Sequence, residues 1–255
     1  MKRKLKIEIG LAVLLLLIAL FGSFLAPYDP LKVNYDFSLQ PPSFLHIFGT
    51  DKLGRDVFSR ILCGAKTSFG LTFLMLFLIV FIGMIVGLIA GLSNDKVESF
   101  FNNIINGLLA FPDTIFAIAI VGIVGVGLFN TVFALALIWW TKYARLTLAL
   151  VKQEKKKNYL VISKMSGVPP LQRIIRYLLP NILSQILVTA FLDIGNMMIS
   201  LAGLSFLGLA SQPPQPEWGE MLYESKQFMQ VAPWMMFFPG PVSYTHLRAH
   251  ETGAY

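Results

Sequence analysis

TSFGLTFLMLFLIVFIGMIVGLIAGL, residues 67–92, contains no charged side chain. At about 1.5 Å of rise per residue, a helix of that length exceeds the ~30 Å thickness of a bilayer's hydrocarbon layer. The run is therefore read as a membrane span. Gly83, Gly87 and Gly91 recur every fourth position within it and fall on one helix face. A ridge of that kind lets a second helix approach closely, so tight packing inside a bundle is the expected role.

The rest of the chain agrees with a lipid solvent. Of its 255 residues, 55% are hydrophobic and only 14% charged, with a mean hydropathy of +0.66. A soluble domain of this length needs more charge to cover its surface. The net charge of +7 does not indicate nucleic acid, because the basic residues cluster between apolar runs and not on a polar domain. The single cysteine, Cys63, excludes an intramolecular disulfide and a thiolate zinc site.

Met1–Lys6 is basic, and an apolar stretch follows from Ile9 to about Leu25. That stretch is longer than a signal-peptide core and ends in Ala26-Pro27-Tyr28-Asp29-Pro30 without a small-x-small cleavage pattern, so an uncleaved first span is expected. A third span is expected at 104–127, with Pro112 and Asp113 beginning or kinking it. A fourth follows Asn130 and ends near Ala144, where Trp139, Trp140 and Tyr143 mark the headgroup level beside Lys142 and Arg145. A fifth covers about 182–207, and a sixth opens at Pro233-Trp234 and is interrupted soon after Gly240. The expected fold is an all-α membrane protein, a polytopic helical bundle with five complete spans and a truncated sixth. Its expected segments are 1–66, an N-terminal span with an external segment; 67–240, the transmembrane domain; and 241–255, a tail foreign to it.

Charge placement orients the spans. With Met1–Lys6 inside, the count puts 26–66 outside and the link Ser93-Asn94-Asp95-Lys96 inside. It also puts the loop 152–181 inside, and the segment bearing Glu217, Glu220 and Glu224 outside. Lys152, Lys155, Lys156, Lys157, Lys164, Arg173 and Arg176 face one acid, Glu154, in that inner loop. Both strong basic clusters thus fall on the cytoplasmic side, as the positive-inside rule requires.

The loop is more than a tether. Tyr159, Ile162 and Met165, then Leu171, Ile174 and Ile175, keep helical spacing, and Gly167-Val168-Pro169-Pro170 breaks the pattern between them. Two short amphipathic helices with a turn are expected. Their apolar ridge and basic border suit either a protein partner or anionic headgroups.

A resemblance bears on that choice. Tyr159–Gly167 followed by Leu179-Pro180-Asn181 resembles the Glu-Ala-Ala loop of ABC importer permeases. Gly167 and Leu179-Pro180 keep its spacing, while Val161, Ile162 and Ser163 replace the Glu-Ala-Ala triplet and Tyr177 replaces its isoleucine. Ala26–Pro30, Pro41-Pro42-Ser43 and Phe48–Arg60 resemble the external segment of the C-type permease of peptide/nickel importers. Phe111-Pro112-Asp113, Tyr143-Ala144-Arg145, Leu204–Leu209 and Pro213–Gly219 follow in the same order, so the likeness covers about 9–240. It implies the type I importer permease fold, a cytoplasmic inner-membrane location in bacteria, and no catalysis or cofactor in this chain. It also implies a second homologous permease, two cytoplasmic ATPases and an extracytoplasmic solute-binding protein as partners, with the lipid bilayer around them. Tyr159, Ile162, Ser163, Gly167, Arg173, Leu179 and Pro180 become the candidate ATPase-coupling residues.

Cys63-Gly64-Ala65-Lys66-Thr67-Ser68 is not a phosphate loop, because the leading glycine is missing and Gly64 does not adjoin Lys66. Asp193, with Asn196 and Met197, is the candidate lining of the translocation path, since a carboxylate inside a span must face protein or water. Asp193 can equally bond across to a neighbouring helix or be hydrated near the cytoplasmic edge. Leu192–Met198 resembles the nickel branch of the family more than the peptide branch, so nickel is set narrowly ahead of di- and oligopeptides as cargo. His246, His250 and Glu251 have metal-ligand spacing, but they lie in the tail and are read as incidental. The competing class is an ion-gradient transporter, which would carry an inverted repeat and a broken helix near the midplane. The sequence reveals neither.

Overall fold

The computed structural model describes residues 17, 18, 20–210 and 214–240. Most of the expected first span lies outside them, with helical backbone at 17, 18 and 20–25, and the tail 241–255 lies outside entirely. Helices dominate the described residues: α1 (Val57–Leu92), α2 (Asp95–Leu109), α3 (Asp113–Val124), α4 (Leu128–Lys155), α5 (Asn158–Met165), α6 (Pro170–Phe206), α7 (Trp218–Ser225) and α8 (Trp234–Phe237). Among the described residues, α1, α4 and α6 are long and apolar enough to cross a membrane, and α2 with α3 makes a fourth, broken candidate.

The helices depart from the expected spans for local reasons. Helix α1 begins at Val57, well before residue 67, because the Asp56 carboxylate accepts the Ser59 N–H at 2.8 Å and caps its first turn. The expected span 104–127 is not one helix. It bends by 87° between α2 and α3, where Pro112 has no N–H to donate and disfavours helical backbone at Phe111. A broken helix is therefore present after all. Helix α4 does not stop near Ala144 but runs on to Lys155, its polar residues Arg145 and Lys152 being bonded to Asn106 and Glu98. The headgroup reading of Tyr143 also fails, because its ring is fully buried and its hydroxyl donates to Asp193.

The chain divides into two compact units. One comprises Leu74–Ile120 and Phe133–Ile194, and in it the glycine ridge does what the spacing predicts. A Cβ on Gly83 would lie 2.6 Å from the Trp140 carbonyl oxygen, one on Gly87 2.5 Å from Thr147 Cβ, and one on Gly91 2.8 Å from Val151 Cγ1. Residue numbers rise together along this seam, so α1 and α4 run parallel. Against α4, α2 runs antiparallel: Glu98 meets Lys152, and Asn106 meets Arg145. Asp113, just past the bend, accepts the Trp139 indole N–H at 3.1 Å.

The other unit gathers the described residues of Met1–Phe73, Val121–Val132 and Gly195–Tyr255. There α7 clasps the first turns of α1. Trp218 is fully buried, donates to the Ile61 carbonyl at 3.0 Å and meets the Phe69 ring edge-on at 5.7 Å. Glu217 caps α7 by accepting the N–H groups of Gly219 and Glu220, and it also accepts the Ser68 hydroxyl. Beside them lies a buried charge cluster. Arg55 bonds Asp51 and Glu224, Arg60 bonds Glu220 and Glu224, and Lys52 reaches Glu224 from the edge at 3.2 Å. Three carboxyl groups, Asp51, Glu220 and Glu224, thus meet three cations. Burial, then the neighbouring Glu224, pushes the Glu220 carboxyl up to about 8, against the pull of Arg60 and Arg55.

Two predictions follow from these packings. Gly87→Leu must separate α1 from α4 and should cost at least about 1–3 kcal/mol, whereas Gly70→Ala, with no atom within 4 Å of its added Cβ, should be tolerated. Equal thermal midpoints in detergent for the two variants would contradict the tight seam. The raised Glu220 value means that folding favours its protonated form. That stability is fully present below the ordinary carboxylate range and is lost as pH rises through about 8. Glu220→Gln should therefore flatten the fall in thermal midpoint between pH 5 and 8 that the parent shows, each measured over that interval.

Candidate functional site

The basic loop is built onto the end of α4. Glu154 accepts the Lys157 ammonium at 2.6 Å and the Tyr159 hydroxyl, which fixes where α5 starts. Burial and that bond to Glu154 push the Tyr159 hydroxyl up to about 12. Ser163 is buried against its own helix, its hydroxyl donating to the Leu160 carbonyl. Helix α5 ends in a Schellman turn: Gly167 N–H bonds the Lys164 carbonyl and Val168 N–H bonds the Ser163 carbonyl. Gly167 sits at φ +74°, the left-handed conformation that glycine adopts without a steric penalty.

The second amphipathic helix of the loop is not separate. It is the start of α6, which begins with Pro170 at its first position and continues to Phe206. Within it, Ile174–Leu178 forms one π turn directly before Leu179-Pro180. A proline inside a helix clashes with the carbonyl four residues earlier, and the wider π turn makes room for it. Asn181 then donates its side-chain amide to the Tyr177 carbonyl at 2.6 Å. The Leu179-Pro180-Asn181 signature is thus a device for continuing one helix through a proline.

Between α5, the start of α6 and the C-terminal ends of α1 and α4 lies a groove of about 560 Å³. Leu160, Val161, Ile174 and Leu178 line it with Lys155, Lys164 and Arg173. Ile162, Met165, Leu171 and Ile175 are exposed near it, Met165 at 82%. Tyr159, Ser163 and Gly167 therefore shape the element, Arg173 lines the groove, Ile162 is presented outward, and Leu179 and Pro180 set the run of α6.

The intramembrane candidates separate. Asp193 is 5% exposed, and its carboxylate accepts the Lys142 ammonium at 2.7 and 2.8 Å and the Tyr143 hydroxyl at 2.9 Å. The across-helix bond weighed for it in the sequence is thus present. Asn196 is exposed, and Met197 is fully buried. Lys142 is the residue that sequence reading missed, taken there for a headgroup anchor. A signal was available: Asp193 is the only acid in α6, and a lone acid in one span calls for a cation in another. The structure also brings together Asp51, Arg55, Arg60, Glu217, Glu220 and Glu224, whose motifs were legible but whose mutual contacts were not. Among the described residues no three His, Cys, Asp or Glu side chains gather as a metal site.

Comparison with known proteins places this arrangement. The family of binding-protein-dependent transport system inner membrane components matches residues 83–245. The N-terminal TM domain of oligopeptide transport permease C matches residues 9–42. Di/tripeptide transport system permease protein DppC of Pseudomonas aeruginosa is 39% identical over 239 residues, covering 91% of this chain and 79% of that protein. Nickel transport system permease protein NikC of Escherichia coli K12 is 35% identical over 227 residues, covering 89% of this chain and 82% of that one. Among solved structures, the methionine ABC transporter MetNI in an inward-facing conformation is similar with a TM-score of 0.55. That likeness, at 22% identity over 75% of this chain and 93% of the other, speaks to the fold alone. With a family match over most of its length and permeases at 35–39% identity, the chain belongs to the binding-protein-dependent transport inner membrane components, as a non-catalytic ABC importer permease subunit of the peptide/nickel type.

Proposed function

We propose that this permease pairs with a second homologous permease, is driven by two cytoplasmic ABC ATPases, and receives its solute from an extracytoplasmic binding protein. The N-terminus and the α5 region face the cytoplasm. The solute is nickel, free or chelated, or a di- or oligopeptide, and it crosses by ATP-driven alternating access. The observation that carries this reading is the groove under α5, apolar inside and ringed by Lys155, Lys164 and Arg173. A spanning helix bundle has no use for such a groove at its end, whereas a protein partner that must push on the bundle needs one. The broken α2–α3 pair belongs equally to an ion-gradient transporter, but the family match favours the ATPase-driven class.

Co-purification of two ATPase subunits and vanadate-sensitive uptake in vesicles test the proposal. Uptake that followed only a proton or sodium gradient would overturn it. Gly167→Val forces a β-branched residue into the left-handed region at a cost of about 1–2 kcal/mol, while its Cβ, chain neighbours aside, meets no atom within 4 Å. The α5 turn should shift in population by about tenfold. Solute uptake per ATP hydrolysed should fall accordingly while the complex still assembles; an unchanged ratio would remove α5 from coupling. Asp193→Asn keeps shape but weakens the hold on Lys142, and it should lower uptake without loss of assembly. Full uptake by that variant would remove Asp193 from the path.

A further inference from the structure

Helix α4 carries an exposed cationic face. Lys142, Arg145 and Lys152 follow one another along it, separated by the exposed Ala149. The Lys142 side chain is 51% exposed and that of Lys152 53%, although each touches a carboxylate. Among the described residues, Arg145 has the neutral amide of Asn106 as its partner, at 2.5 Å. With Lys142 on Asp193 and Lys152 on Glu98, the excess positive charge of this face is that of Arg145.

Depth makes this face informative. Tyr143, next to Lys142, packs at Gly83 of α1, which is 9 residues before the helix ends at Leu92. At about 1.5 Å per residue that is ~14 Å from the inner end of an apolar run, close to the bilayer midplane. An ammonium half open at that depth does not face lipid; it faces water or another protein. The cations then continue from the midplane toward the cytoplasmic end of α4. The charge of Arg145, joined by that of Lys142 whenever Asp193 releases it, repels a free divalent cation and attracts a carboxylate.

We propose that this face lines the aqueous path and that Lys142 receives a carboxylate of the passing solute, exchanging it with Asp193. The cargo is accordingly a carboxylate-bearing molecule, whether a peptide or a metal held by a carboxylate chelator, and not a free hydrated metal ion. The inference deepens the proposed function and rests on it for the identity of the path. Asp193 is then the resting partner of Lys142 rather than a ligand for metal.

The assembled complex supplies the test. In a Cys63→Ser background, Lys142→Cys should react with a membrane-impermeant methanethiosulfonate reagent. Absence of reaction would put the face against lipid or a partner subunit and overturn the proposal. Uptake is then followed for dialanine, nickel citrate and nickel chloride in the parent, in Lys142→Arg and in the neutral pair Lys142→Met/Asp193→Asn, which leaves no charge unpaired. Dialanine or nickel citrate should be the transported solute, which also decides between the two sources of the carboxylate. The neutral pair should raise its KM about tenfold or more, as loss of a charged hydrogen bond does, and Lys142→Arg should restore most of the loss. A parental KM in the neutral pair, or uptake of nickel chloride in preference to both other solutes, would overturn it. If uptake proves to follow an ion gradient and not ATP, the driving force is misassigned, but the same Lys142 comparison still decides the carboxylate.

Discussion

Everything in the α4 region depends on how closely α1 approaches it. Gly83, Gly87 and Gly91 remove the side chains that would hold the two helices apart, and the backbone of α1 rests on Tyr143, Thr147 and Val151. That contact fixes the rotation of α4. With those three turned toward α1, Lys142, Arg145 and Lys152 are turned away from it, and Tyr143 reaches Asp193 from within the packed side. Lys155 then falls where its ammonium caps the free carbonyl of Gly91 at 3.0 Å, joining the ends of the two helices. Glu154, one residue earlier, is left to hold Lys157 and Tyr159. One seam of small residues thereby sets both the charged face and the start of α5.

Sequence pattern reaches those features whose cause is local. The four-residue glycine period, the break at Gly167 and the amphipathic spacing of Tyr159, Ile162 and Met165 all describe what one helix does by itself, and the structure keeps them. Hydropathy also finds the apolar mass of α1 and α6. It misjudges their ends, because caps and partners set those: Asp56 starts α1 early, and Asn106 and Glu98 let α4 carry Arg145 and Lys152 without stopping. The 87° break at Pro112 is legible as a proline but not as a bend of that size, beside which Asp113 accepts from Trp139, a residue 26 positions away. Least legible were pairings far apart in the chain, such as Lys142 with Asp193 and Arg60 with Glu220. Spacing along a helix carries no trace of a partner on another one.

The charged cap of the other unit obeys a different rule. Arg55 and Arg60 are as buried as the core aliphatics, held by Asp51, Glu220 and Glu224. Replacing such a network with apolar side chains is often neutral for stability, while removing one member is costly. Its value here is therefore geometric. The cluster, with Glu217 on Ser68 and Trp218 on Ile61, fixes α7 on the first turns of α1 in one orientation. Residues 48–60 and 213–219 are remote in sequence, and both are stretches that resemble the C-type permeases. Their joint presence is explained by this contact.

The parallel course of α1 and α4 has a consequence for the basic loop itself. Two long helices running the same way deliver their carbonyl ends, the negative poles of their backbone dipoles, to the same end of that unit. Lys152, Lys155, Lys156 and Lys157 gather at that end. Part of the positive charge gathered there is thus already neutralised by peptide dipoles, as Lys155 on Gly91 illustrates. The lysines nearest the helix ends act as internal counter-ions, and the positive charge beyond the reach of those dipoles includes Lys164 and Arg173 farther along.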